Sequence, residues 1–301
     1  ADCDQNGFEG SYIGGVAFGA SNDFTVTFTN NSFSTSNISL TTSDLVLSGT
    51  ALGSVTVASV APTSVTLTAG QTQVVTYQLS GSPVVGELQA DWSKISLSCT
   101  KTKTVGTGDA SFTLPATAAI VSIYDGSPLV DIQGVADNSA NQFIVNVPYT
   151  SGIGTYDAYA SGVVTSAAGT GEGGDANGFS ISYPAGTFGT SGSIAVTITV
   201  DGDGSFDAEK QLFGVLKTIA SMDLQLNGSS KGNVDLKVVG GVPDRNFADA
   251  NHQFVYIPVT SAGGETWLNN NLGADYANLN HASFSPISQA SASTDYNAYG
   301  S

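Results

Sequence analysis

Positive charge is scarce in this 301-residue chain, where eight lysines and arginines stand against 25 aspartates and glutamates and leave a net charge of −17. Neutralising a phosphate backbone takes clustered Lys and Arg, so eight scattered cations exclude a nucleic-acid partner and speak against an anionic membrane surface. Charge of either sign is also sparse, at 11% of residues against roughly 25% in ordinary soluble domains. No run of about 18 apolar residues occurs, so no membrane-spanning helix is expected. There are two histidines and two cysteines, with no H-E-x-x-H and no C-x-x-C, which removes the usual zinc motifs. The chain is not poor in core-forming residues. Leu, Ile, Val and Phe make up about a quarter of it, above the roughly 20% below which a core becomes implausible. Its length predicts two or three domains.

Gly, Ser, Thr, Asn and Ala fill much of the rest. With one Met and few Lys, this composition suits a secreted protein carrying a single disulfide. The opening Ala1-Asp2-Cys3-Asp4 has no basic or apolar leader character, which reads as a signal peptide already removed. Beyond this opening, strict alternation dominates the chain. Phe24-Thr25-Val26-Thr27-Phe28-Thr29 sets three apolar side chains against three threonines. The same pattern recurs in Val75/Tyr77/Leu79, Ile95/Leu97/Cys99, Phe143/Val145/Val147, Ile194/Val196/Ile198/Val200 and Val234/Leu236/Val238. Period two with one polar face predicts half-buried antiparallel strands. Turn pairs recur at short intervals: Ser48-Gly49, Ala69-Gly70, Ser80-Gly81, Asp125-Gly126 and Asn227-Gly228. The expected fold class is all-β, with tandem immunoglobulin-like β-sandwiches.

Residues 207–220 also admit a helix through Leu212, Val215, Leu216 and Ile219, but Gly214 interrupts it and strand is the preferred reading. Divisions are expected near Val105-Gly106-Thr107-Gly108 and in Gly240-Gly241-Val242-Pro243-Asp244. They give a sandwich over 1–106, a larger β domain over 107–243, and the start of a mixed, irregular domain over 244–301. Cys99 lies on the inward register of the expected last strand of the first sandwich, and Cys3 precedes its first. Such strands are often neighbours, so a Cys3–Cys99 bridge is expected, the alternative being two free buried thiols. In the chain-entropy view this long closed loop would stabilise by about 4 kcal/mol.

Three stretches resemble known modules. Gly53 to Gly70, continuing through Thr76-Tyr77-Gln78-Leu79-Ser80-Gly81 to Trp92-Ser93-Lys94, resembles immunoglobulin-like modules of large secreted Bacteroidetes proteins. Val147-Pro148-Tyr149-Thr150-Ser151-Gly152-Ile153-Gly154-Thr155-Tyr156, with Tyr183-Pro184-Ala185-Gly186-Thr187-Phe188, is similar to β modules of gliding and adhesion proteins there. Glu265-Thr266-Trp267-Leu268-Asn269-Asn270-Asn271-Leu272-Gly273-Ala274, with Asp295 to Ser301, looks like the opening of the Fibrobacter succinogenes major paralogous domain. The resemblance implies type IX export, a place on the cell surface, a non-catalytic role, and a chain that is a fragment of something longer.

Candidate chemistry is thin. Asp201, Asp203, Asp207 and Glu209, with Ser205 between them, place oxygens at alternate positions and invite comparison with a calcium loop. Phe206 stands where an EF-hand needs Gly, and Leu212 where it needs the bidentate Glu. An Asp-Gly hairpin turn is the plainer reading. Asp244, Asp249, and Asp175 with Glu172 are further acids of this kind. Gly228-Ser229-Ser230-Lys231-Gly232 matches G-x-S-x-G formally but lies between two alternating strands, without the helix a nucleophile elbow requires. Gly171 to Gly178 is glycine-rich with no helix after it to cradle a phosphate. His252 and His281 read as structural or surface residues. Trp92 aligns with Leu88 and Ala90 and reads as core. Trp267, with Tyr276 near it in sequence, is the candidate glycan contact. Together these features predict an extracellular adhesin or structural filament component, non-catalytic, with possible partners in glycans, surface proteins or copies of itself. The alternatives are a carbohydrate-binding part of a polysaccharide-degrading protein, or a non-catalytic segment of a larger enzyme. Calcium is the one cofactor the acids suggest.

Overall fold

The computed structural model describes residues 1–124, 131–244, 253–279, 281 and 283–299; the expected Asp125-Gly126 turn lies outside these. The chain forms two compact units. The first comprises Ala1–Ser111 with two later returns, Thr150–Asp157 and Ala185–Ser191. The second comprises Phe112–Tyr149, Ala158–Pro184 and Gly192–Ser301. Residues from 244 onward, read from the sequence as a third domain, fall in the second unit. The fold is all-β. Among the described residues the helical elements are three short 3-10 turns and one turn of α-helix, Tyr296–Tyr299.

The first unit's main segment opens with nine strands: β1 Asp2–Glu9, β2 Asp23–Thr29, β3 Ser36–Ser39, β4 Leu45–Ser48, β5 Thr56–Ala61, β6 Ser64–Leu67, β7 Thr72–Ser80, β8 Gly86–Lys94 and β9 Leu97–Val105. They pair as β1-β2-β7-β5, β4-β8-β9 and β3-β6. Alternation sends Phe24, Val26 and Phe28 of β2, Val75, Tyr77 and Leu79 of β7, and Leu88, Ala90 and Trp92 of β8 into one core. Each Val, Leu and Phe among them contributes about 1.5–3 kcal/mol on full burial. Thr25 and Thr27 of β2 are buried as well, so this central strand is covered on both faces rather than half-buried as its sequence suggested. Trp92, read as core, is 1% exposed. Its indole Nε1 donates to the Tyr77 hydroxyl at 2.7 Å, and Phe28 packs edge-to-face at 5.1 Å. The polar handle of each large ring is thereby satisfied inside the core.

One expected strand is broken. Ile95, read as continuous with Leu97 and Cys99, forms with Ser96 a two-residue turn at φ +46° and +64°, and Lys94 pairs with Leu97 across it. Trp92 thereby faces Cys99. The expected Cys3–Cys99 disulfide is present, with Cα atoms 6.1 Å apart, and ties β1 to β9. Cys3 lies within β1 rather than before it. At this same end of β8, Lys94 Nζ meets Asp44 Oδ1 at 2.9 Å.

The second unit continues with β10 Asp109–Phe112, β11 Ala116–Val121, β12 Ile123–Tyr124, β13 Asp131–Ile132, β14 Gly134–Asp137, β15 Ile144–Ile153, β16 Thr155–Tyr156, β17 Tyr159–Ala160, β18 Val164–Thr165, β19 Gly178–Tyr183, β20 Gly186–Thr187, β21 Ser191–Val200, β22 Ser205–Ala208, β23 Leu216–Leu226 and β24 Ser229–Val239. Of these, the start of β10, the end of β15, and β16 and β20 belong by contact to the first unit. One sheet runs β10-β15-β21-β19-β17 with β18 beside β19; the other is β11-β24-β23. Asn227-Gly228, at φ +49° and +80°, makes the expected tight hairpin turn between β23 and β24. Strand β11 lies parallel to β24, with Ala116 beside Val234 and Val121 beside Val239.

One sequence reading changes here, and a second, strand rather than helix over 207–220, holds in part. The Asp201-Gly202-Asp203-Gly204 turn exists, with Gly204 N donating to Asp201 O at 3.2 Å, but it joins no hairpin, because β22 pairs with β14 rather than β21. Residues 207–220 hold no helix. Strand β22 ends at Ala208, Gly214 takes φ +82° in a turn, and β23 begins at Leu216. The last segment carries β25 Val242–Pro243, β26 Val255–Tyr256, β27 Pro258–Thr260 and β28 Thr266–Leu268. Val255 and Leu279 from it pack on Ala119 of β11 and Val239 of β24.

Candidate binding cleft

The acids read as a calcium loop are not gathered around a point. Asp201 and Asp203 are exposed in the turn, and Asp207 stands on the outer face of β22, whose Phe206 and Ala208 turn inward. Glu209 follows the end of that strand. Asp203 Oδ1 accepts from Ser205 N at 3.1 Å and from Asn177 Nδ2 at 3.4 Å. Asp175 Oδ2 accepts from Asp207 N at 2.9 Å, and Glu172 Oε2 from Lys210 N at 3.3 Å. These carboxylates therefore serve as acceptors for strand-edge amides and latch the glycine-rich segment 171–178 to β22. Among the described residues, no three of His, Cys, Asp and Glu converge to hold a metal ion. Asp244 lies beyond β25; Asp249 and His252 fall outside the described residues.

The formal G-x-S-x-G run is a hairpin. Ser230, the second residue of β24, donates its hydroxyl to Asp223 Oδ1 on β23. That bond, with a second from Gln225, holds the Asp223 carboxyl below its ordinary value. A serine committed as donor to a carboxylate across a strand pair is a cross-strand contact, not an activated nucleophile. Trp267 lies on β28 opposite Val259 and is 64% exposed. Tyr276 lies in a 3-10 turn, Asp275–Ala277, and donates its hydroxyl to Asp295 Oδ2 at 3.2 Å. One is a surface ring, the other a ring anchored by its hydroxyl.

A concave feature of the second unit lies elsewhere. Strand β10 runs beside β15 until Thr113, whose N–H donates to Pro148 O at 2.9 Å. Pro115 has no N–H to continue that ladder, and the chain crosses to the other sheet, where it becomes β11 beside β24. Between the diverging β11 and β15 opens a cavity of about 540 Å3, within the 300–1,000 Å3 range of sites for small or extended ligands. Ala116, Thr117, Ala118 and Ala119 of β11 line one side, and Ile144 and Asn146 of β15 the other. Phe284, Leu279, Gln253 and His281 of the last segment add a third wall, and Lys237 of β24 also lines it. Among the described residues the lining holds no carboxylate, although the chain carries 25. Lys237 is partly buried, its side chain 21% exposed, with Asp235 at 3.6 Å. His281 Nε2 lies 3.8 Å from Asp275, and its Nδ1 accepts from Ser283 N at 3.2 Å. The small alanine side chains of β11 keep the cavity open, and Phe143 and Phe284 supply apolar area.

Of these lining residues, only His281 stood out in the sequence as a candidate for chemistry. The one local signal was Pro115, which ends one strand and begins another; the parallel partnership of β11 with β24, more than a hundred residues on, has no local signature. No family model matches the chain, and no curated protein and no solved structure matches it.

Proposed function

We propose that this chain is a non-catalytic part of an extracellular adhesin or structural filament, made of β modules in series. The observation that carries this reading is the Cys3–Cys99 cross-link, which joins the first and last strands of the first unit's sandwich and closes it covalently. Disulfides form and persist in oxidising, extracytoplasmic locations, and one that ties β1 to β9 keeps a sandwich from opening under load. The acids support the same role. Asp137, for example, folds a turn by accepting from the backbone of Asn141 and Ser139, and its carboxyl falls to about 2. A second reading is favoured by Trp267 on β28, whose ring is largely exposed: a glycan-binding module.

Immunogold electron microscopy of intact source cells, with antibody to the purified chain, tests the first reading. Label on the envelope or on surface fibres is the expected result, and label confined to the cytoplasm overturns it. Titration with a panel of polysaccharides, followed by tryptophan fluorescence, separates the second. A saturable change that disappears in Trp267→Ala favours a glycan-binding module over a scaffold.

A further inference from the structure

We infer that the chain makes a contact with copies of itself, in which Phe33, on the loop between β2 and β3, seats in the apolar groove between β4 and β5 of the next copy. The inference deepens the filament reading, on which it rests for its setting, and names the partner. The projecting half is a loop built to be rigid. Phe33 is 103% exposed, so its ring is unused within its own chain. The residues around it are tied down. Asn30 is 7% exposed, and its Oδ1 accepts from Ser32 N at 3.0 Å and from Ser32 Oγ at 2.8 Å. Its Nδ2 donates to Ser34 O and to Leu67 O, each at 2.8 Å. The Asn30 main chain is held too, since its N–H donates to Gln71 O and its carbonyl accepts from Gly70 N. One buried amide thus fixes the residues on both sides of Phe33. A ring ordered in advance avoids part of the entropic cost of binding, and buried aromatic anchors of this kind carry much of the energy of protein contacts.

The receiving half lies on the same unit. Strands β4 and β5 are end strands of two different sheets, and between them runs a groove of about 290 Å3. Leu45 and Val55 line it and are buried, whereas Leu47, Leu52 and Val57 line it and are half-buried. Its volume falls just short of the roughly 300–1,000 Å3 of small-molecule sites and suits a single large apolar side chain. Because Phe33 is fully exposed, it does not fill the groove of its own chain.

Charge favours a second copy as the occupant. Two chains of net charge −17 repel each other, so they meet most readily where neither presents a carboxylate. The loop sequence Asn30-Asn31-Ser32-Phe33-Ser34-Thr35-Ser36 has no charged residue. Among the described residues the groove lining has none either, its rim being Thr and Ser. A ring and a groove at different places on one chain make a heterologous contact, which propagates as an open string of copies wherever its rotation does not close a ring.

Sedimentation equilibrium of the full chain tests this, with salt at about 0.5 M to screen the repulsion between copies. The average mass is expected to rise between about 0.1 and 1 mM, the range of a contact built on one anchor. Phe33→Ser should lower the association constant at least about ten-fold. Val57→Lys, which puts a charge in the groove, should do the same; Leu52→Lys is the second groove variant, and a melting curve confirms that each is folded. Mixing decides the geometry. Phe33→Ser chains keep the groove and Val57→Lys chains keep the ring, so neither should self-associate while the two together form a one-to-one pair. A monomer at every concentration up to about 1 mM overturns the inference, as does association that survives Phe33→Ser or a mixture that forms no pair. Phe33-dependent sedimentation with phosphatidylcholine vesicles, by a chain that stays monomeric alone, also overturns it and makes a lipid surface the occupant. A monomeric chain whose antibody labels surface fibres refutes this contact and leaves the filament reading standing. Self-association with cytoplasmic label does the reverse.

Discussion

Removing the Cys3–Cys99 cross-link is the most direct test of what holds the first unit together. The two residues are 96 apart in sequence. Releasing a loop of that length returns chain entropy to the unfolded state worth about 4.7 kcal/mol at 25 °C. The first unit holds roughly 125 residues, which implies an unfolding entropy of about 260 cal/mol/K. The expected fall in its Tm is therefore about 18 °C. Cys3→Ala with Cys99→Ala is the suitable variant, since serine would leave a hydroxyl at the 2%-exposed position of Cys3. Reduction of the unaltered protein provides an independent route to the same state.

Urea unfolding should be followed by fluorescence in a Trp267→Phe background, which leaves Trp92 as the only tryptophan. Trp92 sits in the first unit's core and pairs directly with Cys99, so it reports on that unit. A midpoint shift with little change in slope is expected in the double variant. A loss below about 1 kcal/mol would refute the entropic reasoning, because the loop is among the longest this unit could close. A loss well above about 5 kcal/mol would also refute it, by requiring a native-state contribution that loop closure does not supply.

The core and the turns give three further expected outcomes. Tyr77→Phe removes the acceptor of the Trp92 indole N–H and leaves a buried donor unmatched, for a loss of about 1–3 kcal/mol in the same urea assay; adding Trp92→Phe should cost less than the sum of the two single changes. Gly81→Ala places a Cβ against the Ser54 backbone carbonyl at φ +96°, so a clear drop in Tm is expected by calorimetry, whereas Gly70→Ala, at φ +72° with open space around it, should cost less. Asp44 is opposed by burial, but the Thr41 backbone N–H, the Lys94 ammonium and the Thr41 hydroxyl outweigh that and hold its carboxyl below the ordinary value. Asp137 is held at about 2 by the backbone of Asn141 and Ser139. Both contribute stability that is present above the unfolded carboxyl value near 4 and lost as pH falls through their lower folded values. Melting curves should therefore drop between about pH 4 and pH 2, and the drop should shrink in Asp44→Asn.

Which parts of the molecule can be read without coordinates depends on how each is encoded. Faces of strands are local: one side chain in two turns inward, so Phe24, Val26 and Phe28 declare their face, as do Leu88, Ala90 and Trp92. The Cys3–Cys99 bridge was legible because alternation also assigns Cys99 a face. Turns that depend on backbone sign are legible where glycine or asparagine marks them, as at Asn227-Gly228, and hidden where they are not. Ile95 takes φ +46° against the preference of a β-branched residue. Because Leu97 and Cys99 do share a face of β9, Ile95 merely prolonged a true pattern by one step into the turn. Sheet edges are not local at all. That Thr117 and Asn146 border one cavity depends on which strands pair with β11 and β15, and on where β10 leaves its partner. Acids such as Asp175 and Asp203 mislead for the same reason. Their spacing resembles a ligand set, yet each is committed to amides or a side chain that the fold brings from elsewhere.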